Sequence, residues 1–339
     1  MRSPLILAAS CFLLSVLTSC SSEPRSPEEY NSIETAVYYG TDRNRREDGT
    51  PNKFYGETRG ELEYGIARIG GVGEDLKTRV EVVDPMPREQ FLQELKSALE
   101  AAPEPTALVF VHGFLRSFRQ VSRQVAEFAD DTNFKGVPIV WSWPSTNNPA
   151  LYTVDETNIN WAQRDFAYFL EGVLTKSGAK TVHLVGHSMG GRGLVNVTLH
   201  NLLPAGLDLA RVGQFVLLAP DIDQEIFRRD MAPALVDAGL QVTLYTSAND
   251  NALQTAYRVH GYRRAGDSSE GALLIDGIET VDVTLANRSI LGHSYFEESE
   301  TVAGDLASLL NEGLPASRRQ GLEPIISGGK RYWRLIVDN

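Results

Sequence analysis

The chain has 339 residues and a formal net charge of −12, with no basic stripe, which argues against a nucleic-acid partner. Its two cysteines, Cys11 and Cys20, both lie at the amino end. The remainder therefore holds no disulfide, no thiolate metal site and no cysteine nucleophile.

Arg2, the apolar run Leu5–Leu17 and the small residues Thr18 and Ser19 before Cys20 form a secretory signal too short to span a membrane comfortably. Leu17-Thr18-Ser19-Cys20 resembles a bacterial lipobox. The resemblance implies cleavage before Cys20, a lipid on its thiol, and export with anchoring to a bacterial membrane facing the periplasm or cell exterior. Residues 1–19 are thus expected to be the signal, 20–33 a polar, proline-containing tether, 34–312 the main domain and 313–339 a carboxyl-terminal extension.

Residues 35–44 begin β-rich and end in turn residues, and 60–70 alternate as a half-exposed strand. Phe91, Leu92, Leu95 and Leu99 share one face of a helix over 88–102. "TALVFVHGF" (106–114) reads as a strand buried on both faces. Helices are then predicted at 119–128, 158–174, 189–203, 224–238 (broken near Pro233) and 302–310. They alternate with strands at 137–145, 181–188, 214–223, 241–250 and 280–284. This alternation predicts an α/β fold with a mostly parallel twisted sheet and helices on both faces. Ligands of such sheets bind beyond the carboxyl ends of the strands.

"TVHLVGHSMGGRG" (181–193) contains two motifs. His183 and His187 have the spacing of a helical zinc site. However, Leu184 stands where the metalloprotease motif needs Glu, and the β-branched surroundings put both histidines on a strand and its turn, so no metal is expected. Gly186-His187-Ser188-Met189-Gly190 between a buried strand and a helix fits a nucleophile elbow. Ser188 would be the nucleophile, with Gly186 and Gly190 small enough to let the turn close.

A serine needs a base. His293 follows the last strand predicted before the final helix, in the chain order Ser, acid, His, whereas His260 lies in a basic loop without such placement. The acid is Asp250 after one strand, or Asp221 or Asp223 after the preceding one; Asp223 also suits a helix N-cap. Oxyanion donors would be the backbone N–H groups of Met189 and Phe114, with Gly113 allowing close approach and His112 bracing the loop.

Tyr39-Gly-Thr-Asp-Arg43, Phe110-Val-His-Gly-Phe114 with Ser117-Phe118, Ser142-Trp-Pro-Ser145, Gly186-His-Ser-Met-Gly190, Ala219-Pro-Asp-Ile-Asp223, Asn249-Asp250-x-Ala-Leu253 and Gly292-His-Ser294 occur in order. Together they resemble the α/β-hydrolase superfamily, and within it a bacterial branch of unknown function. The resemblance implies Ser188 as nucleophile, Asp250 as acid and His293 as base, with no cofactor. The expected activity is carboxylic ester hydrolysis on a small or acylated substrate. An amidase or acyltransferase with the same residues, or a non-catalytic binding scaffold, are the alternatives. Residues 145–160, with Tyr152, and 262–276 are cap candidates.

Overall fold

The computed structural model describes residues 34–46, 49–71, 78–286 and 293–337. The expected signal, the expected tether and Cys20 lie outside them. The described residues build an eleven-stranded sheet from β1 (Glu34–Arg45), β2 (Tyr55–Gly70), β3 (Arg79–Met86), β4 (Thr106–Val111), β5 (Val137–Ser142), β6 (Thr181–His187), β7 (Val212–Leu218), β8 (Val242–Thr246), β9 (Ile278–Asp282), β10 (Leu322–Ser327) and β11 (Lys330–Leu335). The order is β10-β11-β9-β8-β7-β6-β4-β5-β1-β2-β3. Pairing is parallel from β1 through β5, β4, β6, β7, β8 and β9 to β11. It turns antiparallel between β1 and β2, β2 and β3, and β10 and β11.

The central strands are apolar because both their faces are covered. Every residue of β4 and β5 is buried. On one face α1 (Arg88–Ala101) buries Phe91, Leu95 and Leu99, and Trp141 stacks on Phe166 at 5.1 Å. On the other, α2 (Phe118–Asp131) packs Phe128 against Phe110 at 5.6 Å. A capping box between Ser117 and Gln120 starts α2 directly after the loop that leaves β4, which fixes that loop's far end.

Several elements differ from the sequence expectation. β3 was not anticipated, because as an outer strand it buries only Val80 and Val83, three residues apart, and shows no regular alternation. Helix α3 (Tyr152–Trp161) occupies most of the cap candidate at 145–160, and the helix expected at 158–174 is its last turn, a break at Ala162 and α4 (Gln163–Lys176). Asp155 anchors it by accepting from Ser145 Oγ at 2.6 Å and Thr146 N. The break before Pro233 is a wide helical turn over Phe227–Met231, between a short turn at Gln224 and α6 (Ala232–Asp237). Residues beyond 313 form the β10–β11 hairpin, which prolongs the sheet. The buried Arg319, just before it, donates to Asp305 Oδ2 at 2.9 Å, and Tyr245 donates to the same oxygen at 2.5 Å.

Candidate active site

Helix α5 (Met189–Val197) follows β6 with one residue between them, Ser188, at φ 54° and ψ −124°. A non-glycine residue there carries strain of order 1–3 kcal/mol and persists only where its surroundings enforce it. Ser188 N donates to Leu218 O at 2.9 Å, and Ser188 O accepts from Gly191 N at 3.0 Å and Asp221 N at 3.2 Å. A Cβ at Gly186 would meet Gly191 Cα at 2.6 Å, and one at Gly190 would meet His112 O at 2.3 Å, so both positions require glycine. Leu115 and Ala219 also have positive φ. Strained backbone thus gathers at the carboxyl ends of β4, β6 and β7. Met189 opens α5, so its N–H is among those the helix leaves without an internal partner.

Asp250 follows β8 and caps α7 (Asn251–His260): its Oδ1 accepts from Leu253 N at 2.9 Å. Its other oxygen, Oδ2, lies 2.8 Å from His293 Nδ1. Burial pushes the His293 imidazole down, but the Asp250 carboxylate outweighs it and holds the ring above its ordinary 6.5. With Nδ1–H directed at Asp250, the neutral ring keeps Nε2 as its acceptor.

His187, next to the serine, donates from Nε2 to His293 O at 2.9 Å. Burial, reinforced by His293 and Arg116, pushes His187 well below the usual histidine range, so it is neutral. The loop after β4 lies against the elbow. A Cβ at Gly113 would meet both His187 Nδ1 and Ser188 Cβ at 2.9 Å. In that loop His112 stacks on Trp143 at 5.0 Å, Trp143 Nε1 donates to His112 O at 2.8 Å, and the Phe114 ring meets Tyr152 edge-on at 5.4 Å.

Residues 88–312 match the family model described as "Alpha/beta hydrolase of unknown function (DUF900)". The chain belongs to this family of α/β hydrolases. No curated protein matches it. Among solved structures, the carboxylesterase CesB (YbfK) from Bacillus subtilis is 15% identical over 85% of this chain and 95% of its own, with a TM-score of 0.39. A predicted CIB-like hydrolase from Thermoplasma acidophilum is 12% identical over 73% and 94%, at 0.35. Naproxen esterase from Bacillus subtilis is 15% identical over 72% and 86%, at 0.33.

In this α/β hydrolase the other candidates have separate duties. Asp221 is buried between Arg192 (2.7 Å) and Arg264 (2.6 Å) and also accepts from the Tyr152 hydroxyl. Burial alone would raise its carboxyl, but the two guanidiniums hold it down to about 2. Asp223 caps the short helical turn at Gln224 through Glu225 N and Ile226 N. His260 meets Glu156 at 3.1 Å, and His183 accepts from Gln214 N at 2.9 Å. Tyr152 spends its hydroxyl on Asp221. Residues 262–276 cross the ends of β7 and β8, with Ala265 N donating to Ile222 O and Gly266 N to Pro220 O. A cleft of about 300 Å³ lies beside the elbow helix, lined by Arg192, Ile222, Ile226, Met231, His260 and Tyr262 among others.

Sequence reasoning gave no role to the His187 side chain, to Arg116, or to Arg43. Arg116 joins the loop after β4 to the His293 segment, donating to Ser294 Oγ at 3.1 Å and Glu297 Oε1 at 2.8 Å. Arg43 lies among Asp42, Asn44 and Arg45 at the end of β1, so its charge did not set it apart in the sequence.

Proposed function

We propose that this α/β hydrolase is a serine hydrolase that cleaves carboxylic esters through Ser188, His293 and Asp250. The observation that carries the reading is the 2.8 Å contact between His293 Nδ1 and Asp250 Oδ2, made by a histidine whose main chain is tied to the residue next to a strained serine.

Ser188 Oγ attacks the ester carbonyl while His293 Nε2 takes its proton, and Asp250 stabilises the imidazolium. The Met189 and Phe114 N–H groups receive the developing oxyanion. Collapse breaks the bond to the alcohol, which leaves with the proton from His293, and the acyl group remains on Ser188. Water then attacks the acyl-enzyme and gives its proton to His293. The carboxylic acid departs and the Ser188 hydroxyl is restored. The modest cap, one short helix and one pinned segment, favours a short soluble ester over an aggregated lipid.

Rates on short esters test this directly. Ser188→Ala and His293→Ala are each expected to abolish turnover while remaining folded. Turnover that survives Ser188→Ala, or a preference for aggregated long-chain substrates, would overturn the catalytic or the substrate assignment respectively. We further propose that Cys20 carries a lipid and the 20–33 tether holds the domain at a bacterial membrane. Cys20→Ala is expected to release the protein from the membrane fraction.

A further inference from the structure

We propose that Arg43 is a positioning residue that, acting through His112, aims the Phe114 amide at the oxyanion. This rests on the reading of Ser188 as nucleophile and Phe114 N–H as an oxyanion donor.

Arg43 stands near the end of β1 and is fully buried. Among the described residues, the hydrogen-bond acceptors of its guanidinium are all neutral. Nε donates to Ser142 Oγ at 2.9 Å, and Nη1 to Gly56 O and Ser145 O, both at 3.1 Å. Nη2 donates to Arg116 O at 2.6 Å and reaches His112 Nε2 at 3.4 Å. Burial pulls its pKa down to about 10, so it remains a cation at neutral pH. A buried cation held by neutral acceptors is a costly way to gain stability. Two of those acceptors, Arg116 O and His112 Nε2, belong to the loop that would supply the oxyanion donor.

The chemistry at His112 has one consistent solution. A guanidinium only donates, so the His112 Nε2 facing Arg43 must carry the lone pair. A carbonyl only accepts, so the His112 Nδ1 that lies 2.7 Å from Gly113 O must carry the hydrogen. Both ends of the ring therefore require the neutral Nδ1–H tautomer. Burial first, then the Arg43 charge, keep the ring far from protonation. The Gly113–Phe114 peptide is trans, as are all those described, so its C=O and N–H point in opposite directions. Holding Gly113 O against His112 turns Phe114 N–H the other way. Without Arg43, the ring is free to move its hydrogen to Nε2. Gly113 O then loses its donor, and a peptide flip would present a carbonyl where a donor belongs.

Two measurements test this. In protein labelled with ¹⁵N-histidine, the His112 ring is expected to show the Nδ1–H tautomer at neutral pH, assigned by loss of its signals in His112→Asn. An Nε2–H tautomer or an imidazolium there would overturn the proposal, and this readout needs neither activity nor a folded Arg43 variant. In Arg43→Gln, kcat on a short ester is expected to fall by about 10²-fold, as for loss of one oxyanion donor, with KM changed less than about threefold. A folded Arg43→Gln with unchanged kcat would also overturn it. Hydrolysis that persists in Ser188→Ala would sink the underlying functional reading instead, leaving the tautomer result standing.

Discussion

His187 donates from its ring to the main-chain carbonyl of His293 at 2.9 Å, with the two ring centroids 4.7 Å apart. The residue beside the candidate nucleophile thereby fixes the backbone of the candidate base, which is far away in sequence. Removing that donor in His187→Ala frees the His293 segment. Misplacement of a catalytic group by about 1 Å costs up to ~10²-fold, so kcat is expected to fall roughly 10- to 100-fold. Steady-state kinetics on a short ester, with circular dichroism as a folding check, measure this.

The Asp250–His293 contact predicts a pH profile. As the proposed base, His293 would act only when neutral, so kcat/KM is expected to decline as pH falls through its raised pKa, above the ordinary 6.5. Asp250→Asn removes the interaction that opposes burial. The acid limb is then expected to move to lower pH while kcat drops by the order of 10⁴. Asp221 acts on the same ring more weakly, so Asp221→Asn is expected to move the limb less.

Asp221→Asn is instead expected to lose stability, because it leaves Arg192 and Arg264 without their buried partner. Breaking such a cluster costs about 3–5 kcal/mol. The Asp221 carboxyl, at about 2 when folded, lies below its unfolded value. Its stabilisation is therefore complete above the unfolded value and lost as pH falls towards 2. Urea unfolding of both proteins should show the gap closing across that window.

Asp42 has the opposite sign. It is fully buried, its carboxylate oxygens have no hydrogen-bond partner on another residue among the described ones, and burial, with Asp165 adding, raises it from 3.8 to about 8. The unfolded chain ionises Asp42 near 3.8 and the folded one near 8, so stability declines as pH rises between them. Asp42→Asn does not ionise. At about 1.4 kcal/mol for each tenfold change in proton affinity, it is expected to exceed wild type by at least ~2 kcal/mol at pH 8. That margin should fade towards pH 4, as followed by thermal unfolding.

Much of this arrangement was legible in the sequence, because close packing leaves a strong trace there. Gly186 and Gly190 mark positions where any Cβ would strike backbone, and the continuous apolar run of β4 marks a strand covered on both faces. β3 and the β10–β11 hairpin left weak traces. They are outer antiparallel elements in which few residues are buried: Val80 and Val83 in β3, Tyr332 and Leu335 in β11. Helix α3 was hidden for a different reason: it is polar, and Asp155, Ser145 and Thr146 anchor it through tertiary hydrogen bonds rather than an apolar stripe. The duties of Arg43, His187 and Arg116 were not legible, since each depends on a partner between 69 and 181 residues away.

The most direct test of Ser188 as nucleophile is peptide mass spectrometry after treatment with a fluorophosphonate. One phosphonyl group per chain, carried on Ser188 and absent from both Ser188→Ala and heat-unfolded protein, is the expected result. Folded wild-type protein that remains unmodified under conditions that label a control serine hydrolase, or a label found on another residue, would contradict it.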